Sequence, residues 1–95
     1  INAAITPHNN TTPENHSRQR SELFQDMFMR RASSSGVQFG FGVDNNAALE
    51  VTGSASGNEL SVVLADQAAG VTLLELLGSG VAAHRLGKNE TVQIA

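Results

Sequence analysis

The chain has 95 residues, a formal net charge of -3 from nine acidic and six Lys/Arg side chains, 40% hydrophobic residues and no cysteine. This composition suits one small globular domain and excludes disulfides and thiolate metal sites as its staple. With the acids spread evenly, no basic face beyond Arg30-Arg31, four Phe and no Trp or Tyr, it lacks the footprint of a nucleic-acid binder, so no nucleic-acid partner is expected.

A domain this short buries a small share of its surface, so its stability must lean on a partner surface or on more of the same polypeptide. The chain opens on Ile1, and residues 1–7 read as the middle of an apolar element, so the expectation is the C-terminal part of a longer domain. Neither a basic start with an apolar run of roughly seven to fifteen residues nor a run of about 18 apolar residues occurs, so no secretory signal, spanning helix or membrane partner is read here. Localisation stays open, with the cytoplasm as the default.

Residues 1–7 read as a short buried strand, which Pro7 ends because it has no backbone donor. Residues 8–15 are a loop rich in Asn and Thr. A helix follows over about 14–32: Pro13 suits a first-turn position, Glu14 the positive end and Arg30-Arg31 the negative end. Leu23, Phe24, Met27, Phe28 and Arg31 share one stripe, and Ser33-Ser34-Ser35-Gly36 terminates it.

After Gly36 the period changes to two. Val37, Phe39, Phe41 and Val43 alternate with Gln38, Gly40 and Gly42, giving a strand over 37–43 with one crowded face and one nearly bare one. Glycine at alternate positions lets a helix or another backbone approach closely. Asp44-Asn45-Asn46 is a turn signal, and further strands are expected over 47–52, 59–65, 71–77, 81–86 and 91–94. The order of one strand, one helix and several strands describes an α/β domain finished by a β meander.

Titratable chemistry gathers at the first strand-to-helix junction, where His8, His16, Arg18 and Arg20 stand close in sequence. His8 follows Pro7 at a strand end, where it either caps a loop or acts as a base; His16 sits where the helix begins. Arg18 and Arg20 lie two apart and face different ways, so one can hold an anionic ligand while the other pairs with Glu14 or Glu22. His8 and His16 with a nearby Glu match no compact zinc signature, so no metal and no cofactor are expected. The segment Gly53-Ser54-Ala55-Ser56-Gly57 is not a nucleophile elbow, since its central residue is Ala55 and it joins two strands. Asp44 reads as a turn residue accepting backbone donors, and His84 as a surface residue without an acidic neighbour.

Three pieces together carry a resemblance: Ile5-Thr6-Pro7-His8, Arg18-Gln19-Arg20 opening a helix, and Val37-Gln38-Phe39-Gly40-Phe41-Gly42-Val43-Asp44-Asn45-Asn46-Ala47-Ala48-Leu49-Glu50-Val51. In that order they resemble the C-terminal part of the cyanophycinase and aspartyl dipeptidase (peptidase E) family. Its members show an (I/V)-N-P-H or D-x-H-F segment, a basic helix start and a G-(I/L)-G-(I/L)-D-(D/E)-x-x-A-(L/I) strand-turn-strand. Val71 to Glu75 and Ala83 to Asn89 resemble the closing strands of the cyanophycinase-like branch.

The resemblance implies a class I glutamine-amidotransferase-like (flavodoxin-like) three-layer α/β fold ending in the meander, and a serine-type peptidase acting at aspartyl residues. His8 takes the position of the general base. Arg18, and after it Arg20, match the arginine that pairs with the substrate's aspartyl carboxylate. Thr6 stands where the family pattern has Asn, and the loop from His8 to Arg18 differs in length, which keeps His16 as the alternative base. The serine of a G-x-S-A-G elbow is absent from these residues, so the chain alone should be inactive and its partners would be an aspartyl peptide, the N-terminal portion of the domain and, in the family's manner, a second copy in a homodimer. The rival expectation is a catalytically silent interaction or assembly domain of the same fold.

Overall fold

The structure, a computed structural model, describes residues 3–12, 18–66, 68–78 and 80–94, with the backbone alone at 32–35 and 64. Its elements run β1 (Ala3–Thr6), α1 (Arg20–Ser35), β2 (Phe39–Val43), β3 (Ala47–Ser54), β4 (Gly57–Ala65), β5 (Val71–Leu77), β6 (Gly80–Leu86) and β7 (Thr91–Ile94). The domain is mixed α/β and mostly sheet, with a single helix among the described residues.

Two sheets form, one ordered β1-β2-β5-β6 and the other β3-β4-β7. β1 runs parallel to β2, with Ala3 opposite Phe39 and Thr6 opposite Gly42, and every other pairing is antiparallel. The period-two pattern of β2 explains the layering. Phe39 and Phe41 enter a core between the sheets with Leu60, Val62, Val71, Leu73 and Leu86. Gly40 points the other way, where an added Cβ would stand 3.1 Å from both the Phe24 and the Phe28 ring. The bare face of β2 is therefore the seat of α1, whose Phe24 and Phe28 close a second cluster over Leu74.

Several expectations are corrected. The helix begins at Arg20, with Gln19 as an extended N-cap (φ -69°, ψ 155°), and it runs to Ser35 before Gly36 ends it in the left-handed region at φ 75°. Its first free donors are taken by the preceding loop, Arg20 N–H by Thr11 O at 2.8 Å and Ser21 N–H by Asn9 O at 3.0 Å, so residues 18–19 are held as loop. The Pro13 and Glu14 start lies outside the described residues. Arg30-Arg31 fall short of the last turn, which carries no basic residue. Of the expected stripe, Phe24 and Phe28 are buried while Met27 and Arg31 are exposed.

The closing strands keep a meander-like arrangement but are shared between the two sheets. β3–β4 and β5–β6 are hairpins of different sheets, and β7 pairs with β4 rather than with its predecessor. The Ser54–Ser56 stretch is the tip of the β3–β4 hairpin, with Ser54 opposite Gly57. Among the described residues no helix is long and apolar enough to cross a membrane.

Phe28 is 2% exposed and seats α1 on β2. Phe28→Ala should cost about 3–5 kcal/mol, a large part of a small domain's stability. Urea unfolding followed by far-UV circular dichroism checks this, and a loss below ~1 kcal/mol would show that the helix does not depend on that contact.

Candidate functional site

Because β1 and β2 are parallel, their carboxyl ends emerge side by side, the position at which α/β sheets present ligand-binding loops. The loop after β1 and the Asp44–Asn46 turn after β2 meet there through three contacts. Asn9 N–H donates to Val43 O at 3.0 Å, and Asn45 N–H donates to Asn10 Oδ1 at 2.7 Å. His8 Nδ1 lies 3.1 Å from Asn45 Oδ1.

That last contact is compatible with one tautomer of His8 acting as a base. With Nδ1–H donating to the Asn45 carbonyl oxygen, Nε2 carries the lone pair, the tautomer a base requires. His8 occupies the left-handed region at φ 51°, a conformation uncommon outside glycine but more accessible to His than to most residues. Thr11 holds the turn by donating to His8 O from its backbone N–H at 3.1 Å and from Oγ1 at 2.7 Å.

Next to this pair lies a buried polar cluster. Asn9 is 2% exposed, and its carboxamide lies against Gly42, where an added Cβ would come within 2.5 Å of it. Its Nδ2 donates to Thr72 Oγ1 at 3.5 Å, and Arg85 Nη1 donates to the same hydroxyl at 3.1 Å. Arg85 Nη2 donates to Asp44 Oδ2, which also accepts Gly70 N–H at 3.0 Å. The Asp44 carboxylate is 1% exposed and the Arg85 side chain 48%, so a half-open guanidinium covers a closed acid. A Cβ at Gly70 would collide with the Leu86 carbonyl, so only glycine brings that N–H to Asp44.

Two acceptors in this cluster, Asn9 Oδ1 and Asp44 Oδ1, are buried and have no donor among the described residues. Buried acceptors are nearly always partnered. Both residues help to line a cavity of about 190 Å³, with Asn10, Gln19, Ser21, Thr72 and Arg85.

The other anticipated residues are elsewhere. Arg18, just before α1, is held against the helix, Nε 3.2 Å from Glu22 and Nη2 2.6 Å from Asp26. The hydrogen bond to Asp26, then that to Glu22, push its guanidinium further above its ordinary value, so it stays charged across the working pH range. Arg20 lines a separate groove of about 220 Å³ at the outer edge of β1, with Ile5, Thr6, Leu23, Phe24 and Met27. His16 lies outside the described residues. His84 is exposed as expected, but it does have an acidic neighbour, Glu75, at 4.0 Å across β5–β6.

Asp44 does accept a backbone donor, as its turn position suggested. Arg85, Thr72 and Asn9 were not singled out in the sequence. Their signal is in the strand registers: Thr6, Gly42, Thr72 and Arg85 form one row across the four strands of the first sheet. Among the described residues no group of three or more His, Asp or Glu is placed to hold a metal ion. Compared with family models, curated proteins and solved structures, the chain matches none.

Thr72→Val keeps the shape but leaves Arg85 Nη1 and Asn9 Nδ2 without their shared acceptor, which should cost about 1–3 kcal/mol. Gly42→Ala, which drives a methyl into the Asn9 carboxamide, should cost a similar ~1–3 kcal/mol. Denaturant midpoints measure both, and a parent-like midpoint for either would remove that contact from the cluster.

Proposed function

We propose that this chain supplies the base-bearing part of a serine-type hydrolase acting on aspartyl peptide or isopeptide bonds. In this reading β1–α1–β2 is the final parallel unit of a class I glutamine-amidotransferase-like, flavodoxin-like sheet, and the serine and its oxyanion hole come from outside these 95 residues. The observation that carries it is the His8–Asn45 contact at the carboxyl ends of two parallel strands, which leaves Nε2 as acceptor in the tautomer that donates from Nδ1.

The chemistry follows from that tautomer. His8 Nε2 takes the proton of the serine hydroxyl as it attacks the scissile carbonyl, then delivers it to the departing amine. Water repeats the cycle and releases the acid. Of the two arginines that the resemblance points to, Arg20 is the freer to hold a carboxylate of the substrate, because Arg18 must first give up Glu22 and Asp26.

A second reading has its own observation. Where the family pattern carries an acid after the Asp of its strand-turn-strand, this chain has Asn45. A carboxamide supplies no charge to stabilise an imidazolium, and an acid-to-amide change in a catalytic triad lowers turnover severely because the amide can hold the wrong tautomer. This favours a catalytically silent domain of the same fold, kept for interaction or assembly.

The readings separate in a preparation that joins the chain to its nucleophile-bearing part, assayed on aspartyl dipeptides. His8→Ala should lower kcat by about 10²–10⁴-fold, and Asn45→Asp should raise it. Arg20→Ala should raise KM for aspartyl substrates more than Arg18→Ala does. Parent-like turnover in His8→Ala removes it as the base, and an inactive parent leaves the silent domain as the reading.

A further inference from the structure

The cavity that Asn9 and Asp44 line is built for more than a lone carboxylate. It sets a buried carboxylate and a buried carboxamide, each with an unpartnered acceptor oxygen, next to a half-exposed guanidinium. Acceptors that lack donors call for an N–H-rich group, and the compact group that brings several is an ammonium. The Arg85 fork has N–H groups beyond those it gives to Thr72, Asp44 and Ala68, and these suit a carboxylate. Asp44 and Arg85 already neutralise one another, so a ligand of net charge leaves an unbalanced charge beside the closed acid, whereas a zwitterion does not.

From this we infer that the cavity of Asn9, Asp44, Thr72 and Arg85 binds the free head group of an α-amino acid, its ammonium toward Asp44 and Asn9 and its carboxylate on Arg85. The group enters as Arg85 swings outward from Asp44, a movement open to a side chain that is half solvated while its partner is closed.

The inference rests on the hydrolase reading for its consequence and sharpens the substrate. An aspartyl unit whose α-ammonium and α-carboxylate are both free is joined to its neighbour through the side-chain carboxyl. The bond facing His8 is then the β-amide, and water cleaves it to free aspartate and an amine. The placement agrees: Asn9 follows His8 in the loop, and Asp44 precedes the Asn45 that orients the imidazole.

The test uses the unmodified chain, so it does not depend on a variant folding. In ¹⁵N-resolved NMR titrations, L-aspartate should shift the amides of Asn9, Asp44, Gly70 and Thr72 saturably below ~10 mM, while N-acetyl-L-aspartate and succinate, which lack the ammonium, should not. Arg85→Gln should weaken aspartate at least about tenfold. Equal shifts from all three compounds, or none from aspartate, overturn the inference without touching the base assignment. In the complete hydrolase a β-aspartyl dipeptide should be cut faster than its α-linked isomer. Preference for the α-linked isomer overturns the inference alone, and cleavage of neither sinks the hydrolase reading instead.

Discussion

The architecture depends on the bare face of β2. With Phe39 and Phe41 turned into the inter-sheet core, the opposite face carries Gly40 and Gly42, and what lies on each glycine differs in kind. Gly40 receives two aromatic rings and so fixes the height of α1 above the sheet. Gly42 receives a polar carboxamide and so fixes the loop after β1. One strand thus sets both the apolar seat of the helix and the polar floor of the cavity, and a methyl at either position acts on a different layer.

The Asp44–Arg85 pair is a second constraint with a different energetic character. Taking both charges fully out of water costs several kcal/mol per ion after relaxation, but here only the acid is closed off while the guanidinium keeps contact with solvent. The arrangement limits the desolvation cost on the basic side. Gly70 N–H shares the burden on the acidic side, supplying a fixed dipole that water would otherwise provide. Asp44 is thereby fixed in place by a covering group that keeps contact with solvent.

Much of the fold was legible because it follows from local rules. The change of period after Gly36, the Asp44-Asn45-Asn46 turn and the glycine-rich hairpins mark strands whose bounds lie within about two residues of those observed. The helix start was not legible, because its terminal donors are met by carbonyls of Asn9 and Thr11 rather than by a capping side chain near Pro13. The division into two sheets was equally hidden, since the pairing of β7 with β4 is a tertiary choice that alternation in either strand does not encode. At the site, His8 and Asp44 could be singled out by their positions next to a proline and in a turn. Arg85 and Thr72 could not, because they become neighbours of Asp44 only through the β2–β5–β6 register.

The parallel pairing of β1 with β2 also bears on the order in which the molecule assembles. β3–β4 and β5–β6 close through short turns, whereas β1 must wait for the loop and α1 to be in place before its four residues find β2. Contacts separated by a long connection carry the larger closure entropy and form slowly. Among the described residues β1 is an outer strand of its sheet, with Ile5 67% exposed. The imidazole of His8 therefore follows directly on a strand whose pairing depends on a long connection, while the hairpins of the two sheets close locally.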